Sequence, residues 1–169
     1  MIESLGVKQV KAELATKVNN LPDVFKVKKP TLKHLEILTS QGYVIAYLNN
    51  WIIDTVGFFN IGKGMDDLQV MDTSLLIWQS FPFIGVHEIY FVFNQAKKGR
   101  YGILFDRLDG SIILQWFNKF WEDRLNAAES ICYQEHISTK EHNGESYSMN
   151  QAAKEHAIKV KQFAQQHKI

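Results

Sequence analysis

The fold is decided by residues 86–97, which read VHEIYFVFNQAK. Ile89, Phe93 and Ala96 recur at intervals of three and four residues, and this spacing places them on one side of an α-helix. Gly99 follows where a helix commonly ends, because glycine adopts left-handed dihedral angles at little cost. The basic residues around that glycine suit the negative end of the helix dipole. The sequence therefore predicts a helix over residues 86–97.

A second, longer apolar repeat follows a turn through residues 101–110. Its members recur every three to four residues and are Ile113, Phe117, Phe120, Arg124, Ala127 and Ile131. Asp109 or Ser111 can begin this helix, because either side chain can accept hydrogen bonds from the free backbone N–H groups of the first turn. We predict one long helix that runs from this point toward His136.

Three more helices are predicted upstream of the central stretch. The first covers residues 3–20 and is weakly amphipathic. The second begins at Thr31 and closes at Gly42, where glycine can again end a helix. The third covers residues 66–81, and its predicted inner stripe is Leu68, Met71, Leu75 and Trp78.

Residues 43–59 admit two interpretations. Val44, Leu48 and Ile52 follow a helical period. A short hairpin that turns at Asn49-Asn50 is the alternative, because asparagine tolerates the positive φ of a tight turn. The apolar residues do not alternate with polar ones as a half-buried strand requires, so the pattern favours the helix.

These predictions define an all-α protein, a single compact bundle of five to seven helices. A minor β-hairpin near Asn49-Asn50 remains the alternative within it. Three segments are expected along the chain. Residues 1–30 hold an N-terminal helix and a basic connector, residues 31–138 form the helical core domain, and residues 139–169 form a mobile loop and a polar C-terminal helix.

Composition limits the class of protein further. The formal net charge of the 169 residues is +1, so any contact with nucleic acid must come from a local patch of charge. The single cysteine, Cys132, excludes an intrachain disulfide and a multi-cysteine metal site, and it fits a reducing compartment. The first residues show no signal-peptide pattern, and no apolar run approaches the ~20 residues of a membrane span. We expect a soluble, intracellular protein.

No pattern predicts catalysis or a resident metal. Gly62-Lys63-Gly64 lacks the full spacing of a phosphate-binding loop. The six histidines do not form the helix-spaced pair with an intervening glutamate that binds zinc. Cys132 is expected to be a buried thiol without a partner base. We expect a non-enzymatic protein with no cofactor and no metal.

Recognition is predicted at the connection between the two aromatic helices, residues 97–107. Its basic and aromatic residues are Lys97, Lys98, Arg100, Tyr101 and Arg107. The cations can contact phosphates, and Tyr101 with Phe105 can stack on bases or on the apolar surface of a partner. The alternative is structural, since the same cations complement a helix C-terminus and the two rings can anchor the loop in the core.

Two further features are expected to assist binding. A basic connector, punctuated by Pro22 and Pro30, holds Lys26, Lys28, Lys29 and Lys33. Trp121 is the predicted interface anchor, since a tryptophan at the rim of a surface often carries binding energy.

From about Leu32 to Arg124 the chain resembles a family of uncharacterised proteins carried by bacterial phages and other mobile elements. The residues that carry the resemblance are Met65, Gln69-Val70, Val86-His87-Glu88-Ile89, Phe93-Asn94, Ala96-Lys97, Leu108-Asp109-Gly110, the stretch from Trp116 to Arg124 and, most recognisably, Gly99-Arg100-Tyr101-Gly102. The resemblance implies a helical domain of unknown function and supplies no catalytic residues. Residues 1–30 and the tail after about Tyr133 lie outside the resemblance.

Two functions are expected. The first is a non-enzymatic interaction protein of phage or mobile-element origin, in the cytoplasm of the host bacterial cell, that meets a nucleic acid or nucleoprotein through the basic loop. The second is a phage-encoded inhibitor, similar to an anti-CRISPR protein, that binds a host defence enzyme or ribonucleoprotein. The partners distinguish the two, because the inhibitor would have little affinity for naked nucleic acid.

Overall fold

The structure, a computed structural model, describes residues 10–59, 62, 64–104 and 106–134. In this part of the chain there are seven helices and no strand, which confirms the predicted all-α class. The helices are α1 (10–15), α2 (Leu21–Lys26), α3 (Leu32–Leu38), α4 (Gln41–Phe59), α5 (Asp67–Ser80), α6 (Val86–Lys97) and α7 (110–134). The predicted loop and polar helix of residues 139–169 lie outside the described residues.

The helix α6 has the bounds that its sequence predicts, and it is enclosed by the rest of the fold. Ten of its 12 residues are buried. Seven of these ten buried residues are apolar or aromatic, because a helix surrounded by protein buries most of its circumference. Glu88 is buried as well, and its carboxylate accepts a hydrogen bond of 2.6 Å from the Gly85 N–H, which caps the start of the helix.

Aromatic rings hold α6 between α4 and α7. Trp51 of α4 stacks on Phe93 with ring centroids 6.1 Å apart. Phe93 also meets the edge of Phe117 of α7 at 5.6 Å, and Phe91 contacts Phe120 at 5.8 Å. Each such pair contributes roughly 0.5–1.5 kcal/mol beyond the burial of its area, so the three helices form the centre of the core.

The chain before α3 packs on the same core. Leu14, Val18 and Val24 are buried in one hydrophobic cluster with the residues of the later helices. An isolated antiparallel bridge between Thr31 and Gly85 joins the segment before α3 to the segment before α6. The N-terminal segment is therefore part of the packed structure.

The chain divides into two compact units, Met1–Leu125 and Asn126–Ile169. The division falls within α7, so residues 110–125 of that helix belong to the first unit. Among the described residues, all members of the buried hydrophobic cluster lie in this first unit. The core described above is thus a property of the first unit by itself.

The alternative of a hairpin near Asn49-Asn50 is wrong, because α4 continues through both residues. The buried residues of α4 recur at helical spacing and are Val44, Leu48, Trp51, Ile52 and Thr55. The predicted helix end at Gly42 is also wrong, because α3 ends at Leu38. The Ser40 hydroxyl accepts a hydrogen bond from the Tyr43 N–H and begins α4, so Gly42 lies in the first turn of that helix.

The helix α5 is predicted correctly, but its buried face is not. The buried residues are Val70, Thr73, Ser74 and Ile77, whereas Leu68 is 68% exposed and Met71 is 41% exposed. The Thr73 hydroxyl donates to the Gln69 carbonyl oxygen at 2.7 Å, so its hydrogen bond is made within the helix. A hydroxyl satisfied in this way can be buried without a further partner, which an apolar pattern cannot reveal.

The short helix α2 lies within the predicted basic connector. Asn20 and Asp23 form a capping box at its start, and Pro22 occupies its first turn, where the missing N–H of proline costs nothing. Only Val24 of this helix is fully buried. Six residues are too few to establish an apolar period, so the sequence pattern does not predict the helix.

Candidate functional site

The loop that follows α6 is shaped by two glycines. The Gly99 N–H donates to the Ala96 carbonyl at 2.9 Å and the Arg100 N–H donates to the Gln95 carbonyl at 3.0 Å, which together make a Schellman motif. Gly99 has a φ of 77° and Gly102 a φ of 103°, a region that favours glycine. The predicted helix end at Gly99 is therefore confirmed, and the chain turns away from the core at Arg100.

Lys97 does not point into this loop. Its Nζ lies 2.5 Å from the Asp54 carboxylate of α4, and its side chain is 17% exposed. Burial lowers the pKa of Lys97, against the opposing effect of its hydrogen bond to Asp54. Lys11 pairs with the same carboxylate, and the hydrogen bonds from both lysines hold the pKa of Asp54 below its usual range although burial acts to raise it. Lys97 links α6 to α4, and its ammonium group is bonded to Asp54 and does not line the groove.

The basic connector is largely neutralised by the protein's own carboxylates. Lys29 lies 2.7 Å from Glu13, and the hydrogen bond from Lys29 lowers the pKa of that carboxyl group. The other pairs join Lys33 to Glu36 at 3.2 Å and Lys26 to Asp23 at 3.5 Å. Within the described ranges Lys28 forms no ion pair. None of the four predicted connector lysines lines the groove that the loop forms with α7.

The loop and the first turns of α7 enclose a groove of about 530 Å³, here called the loop–α7 groove. It is lined by Arg100, Tyr101, Ile103, Leu104, Arg107, Ile112, Gln115, Trp116 and Lys119. Three of the predicted binding residues are thus brought together, whereas Lys98 is exposed outside the lining. The contributions of α7 are missed by sequence reasoning. The sequence does contain a pattern that could have identified them, because residues 112, 115, 116 and 119 share one face of a helix.

Aromatic packing fixes the base of this groove. The Tyr101 ring stacks on Trp116 with centroids 6.2 Å apart and an interplanar angle of 18°. Trp116 is buried, and burial raises the pKa of the Tyr101 hydroxyl. Ile103, by contrast, is 81% exposed at the edge of the groove. The loop is anchored on one side and presents an apolar side chain on the other.

Three cations stand around the groove. Arg100 is exposed and forms no ion pair with any described residue. The Arg107 Nε lies 3.4 Å from Asp109, and its side chain is 70% exposed, while Lys119 lies 3.0 Å from Asp123. Exposed pairs of this kind are worth about 0–1 kcal/mol, so an incoming anion can replace the carboxylate.

Asp109 has a second role, because it caps α7. Its carboxylate accepts hydrogen bonds from the Ser111 hydroxyl at 2.6 Å and from the Ile112 N–H at 3.1 Å. The hydrogen bond from Ser111 lowers the pKa of Asp109, despite a smaller opposing effect of burial. Of the two predicted caps, Asp109 and Ser111, the structure shows Asp109 as the residue that accepts the backbone hydrogen bond at the start of α7.

Trp121, the predicted interface anchor, is half-buried and packs against other helices. Its ring lies 5.9 Å from Phe81, and the Arg124 guanidinium lies 4.7 Å above it. The Arg124 Nε is also 2.7 Å from the buried Glu88 carboxylate. Trp121 therefore packs α7 against Phe81, the residue that ends α5, and it does not line the loop–α7 groove.

Three further features of the described chain bear on the sequence predictions: metal ligands, the cysteine and the hydropathy of the helices. In residues 10–59, 62, 64–104 and 106–134 no group of three or more His, Cys, Asp or Glu side chains is placed to hold a metal ion. Cys132 is exposed, so the expectation of a buried thiol is wrong. None of the described helices has both the length and the apolar character required to cross a membrane.

The fold and the groove define a helical protein with a concave surface lined by basic and aromatic side chains. The chain belongs to a family of unknown function, DUF6633, whose model matches residues 65–168. The match contains the whole loop–α7 groove, and it reaches past Tyr133, beyond the limit of the resemblance drawn from the sequence. Neither the curated proteins nor the solved structures contain a match to this chain.

Proposed function

We propose that this protein is a non-enzymatic interaction protein that binds a nucleic acid or nucleoprotein through the loop–α7 groove. The observation that carries the proposal is the convergence of Arg100, Arg107 and Lys119 on one concave surface with an aromatic base. Phage or mobile-element origin is part of the proposal and rests on the sequence resemblance. Lys97 and the connector lysines are left out of the proposed site because they pair with carboxylates of the same chain or lie outside the groove.

The charge distribution favours short-range recognition of phosphate. The whole chain carries a formal net charge of +1, so attraction depends on the few cations at the groove. Guanidinium groups present several N–H donors in a plane that matches a phosphate, and two of the three cations are arginines. If the three cations contact three phosphates, a plot of the logarithm of the binding constant against the logarithm of the salt concentration should have a slope of roughly −2 to −3.

The experiment compares two triple variants that remove the same charge. One changes Arg100, Arg107 and Lys119 to alanine, and the control changes Lys26, Lys28 and Lys33 to alanine. Binding of a labelled oligonucleotide is measured by fluorescence anisotropy at several salt concentrations. We expect the groove variant to lose affinity and most of the salt dependence, and the connector variant to keep both. Equal losses in the two variants would contradict a specific groove.

A second candidate function is favoured by Ile103. A side chain that is 81% exposed beside two arginines also fits a protein surface, as in an inhibitor of a host defence enzyme or ribonucleoprotein. Affinity capture from a bacterial host tests it with the wild-type chain and with Ile103→Asp. Recovery of one protein by the wild-type chain alone, together with no affinity for oligonucleotides, would favour the inhibitor and exclude nucleic-acid binding.

A further inference from the structure

We infer that the loop–α7 groove receives one unpaired nucleotide of a single strand, with the base inside the groove and the phosphates at its rim. The inference rests on the proposed function and narrows it. It concerns whether a single strand or a duplex can reach the lining residues, and it is argued from the shape of the groove.

The groove is concave, whereas a protein surface that binds the base edges of duplex DNA protrudes into the DNA groove. A duplex is read by a helix or ribbon that inserts into the major groove and presents side chains to base edges. The face of α7 formed by Ile112, Gln115 and Lys119 instead lines a concave groove, together with the loop residues Ile103 and Leu104. A stacked base pair cannot enter such a cleft, whereas an unstacked base can protrude into it.

The volume fits a nucleotide. Pockets that bind small organic ligands measure about 300–1,000 Å³, and the groove measures about 530 Å³. A groove of this size can hold a base with its sugar. The inferred occupant is a single nucleotide of a longer strand, whose neighbours remain outside.

The lining matches the chemistry of a nucleobase. Ile103, Leu104 and Ile112 supply apolar walls for the faces of a base. The exposed Gln115 contributes an amide with both a donor and an acceptor, the set needed to bond the edge of a base. The stacked pair of Tyr101 and Trp116 keeps the base of the cleft rigid.

The rim matches the backbone of the strand. Arg100 has no carboxylate partner among the described residues, and Arg107 and Lys119 are held only by exposed pairs. Cations at the mouth of an apolar cleft contact the phosphates on either side of an inserted base. Basic, apolar and amide side chains along one groove constitute the pattern of single-strand recognition.

The test uses the full chain and three labelled ligands of one 12-residue sequence: single-stranded RNA, single-stranded DNA and a hairpin duplex of that DNA. Anisotropy titrations at fixed salt should show at least one single strand bound about tenfold or more tightly than the duplex. Gln115→Ala should reduce single-strand affinity by roughly three- to tenfold, since one hydrogen bond is lost. Asn118→Ala, an exposed change on the same helix outside the groove, is the matched control and should have no effect.

The outcomes separate the inference from the proposed function. Equal affinity for duplex and single strands, or equal effects of Gln115→Ala and Asn118→Ala, overturns the inference while nucleic-acid binding stands. Failure to bind any of the three ligands overturns the proposed function and the inference with it. A preference for RNA or for DNA supports the inference and identifies the kind of strand. Circular dichroism of each variant checks that its helices are intact.

Discussion

His87 is buried at the start of α6 and faces charged neighbours. Burial lowers the pKa of His87 from its usual 6.5, and the neighbouring Glu88 carboxylate opposes this effect while Arg124 and Lys29 add to it. The unfolded chain therefore binds the proton more readily than the folded chain. Stability is present above pH 6.5 and is lost as the pH falls below it toward the folded pKa.

We expect the free energy of unfolding to fall as the pH drops below about 6.5 because of this histidine. His87→Gln should remove most of that fall, since glutamine does not titrate. Urea unfolding at a series of pH values measures it, with His34→Gln at an exposed position as the control. The acidic groups with lowered pKa, such as Asp54, lose their contribution only at more acidic pH. An unchanged pH profile in His87→Gln would contradict the assignment.

Gly110 is required by a close contact between α5 and α7. A Cβ added at this position would lie 2.3 Å from the Thr73 hydroxyl, which is buried and bonded to the Gln69 carbonyl. Gly57 is the opposite case, because nothing lies within 4 Å of an added Cβ in the interior of α4. Two glycines of one chain thus have opposite expected effects when changed to alanine.

We expect Gly110→Ala to lower the free energy of unfolding by about 1–3 kcal/mol, the usual cost of overpacking. Gly57→Ala should raise it by roughly 0.5–1 kcal/mol, since alanine has the higher helix propensity. Thermal unfolding followed by circular dichroism measures both. Adding Thr73→Ala to Gly110→Ala should restore part of the lost free energy of unfolding. If it restores none, the contact between position 110 and Thr73 is not the cause of the destabilisation.

At the scale of elements, the sequence predicts what a local pattern encodes. The bounds of α6 follow from twelve residues and one glycine, and the cap of α7 follows from Asp109. The buried face of α5 does not follow, because Thr73 and Ser74 are buried there. Their polarity hides the inner side of the helix from any pattern based on apolar residues.

The candidate site shows the same limit. Arg100, Tyr101 and Arg107 lie close together in the sequence, and all three line the groove. Lys97 lies beside them in the sequence but bonds to Asp54, 43 residues away. Only tertiary packing brings that carboxylate to the lysine, so adjacency to Arg100 gives no warning that the charge is already paired.

The packing of α6 on α7 includes a charge pair that can be tested. Arg124 lies 2.7 Å from the carboxylate of Glu88, which is 5% exposed on its side chain. Removal of the arginine leaves a buried carboxylate whose one remaining partner among the described residues is the Gly85 N–H, and such a loss typically costs about 3 kcal/mol. Lys119 makes the contrasting pair with Asp123 at an exposed position.

We expect Arg124→Ala to lower the free energy of unfolding by about 3 kcal/mol and Lys119→Ala to change it by less than about 1 kcal/mol. Glu88→Gln together with Arg124→Ala should be less destabilising than the sum of the single changes, because no buried charge remains. Urea unfolding of the four chains completes the cycle. Additive losses would show that the two side chains do not interact.

At the scale of the whole molecule, the described hydrophobic core is formed by one part of the chain. The described hydrophobic cluster begins at Leu14 and its last fully buried member is Phe120. The pair of Glu88 with Arg124 also lies within the unit Met1–Leu125. Because the cooperativity of unfolding derives from this packed core, the cluster should not need the residues after Leu125 to form.

We therefore expect a fragment of residues 1–125 to unfold cooperatively, as the full chain does, with a midpoint within several degrees of it. A fragment of residues 1–109 is the control, because it lacks Phe117 and Phe120 and so removes one side of the aromatic sandwich around α6. Thermal melts followed by near- and far-UV circular dichroism measure both. The shorter fragment should melt without a sharp transition, since Phe91 and Phe93 lose their partners on α7. A broad melt of the longer fragment would mean that residues beyond Leu125 complete the core.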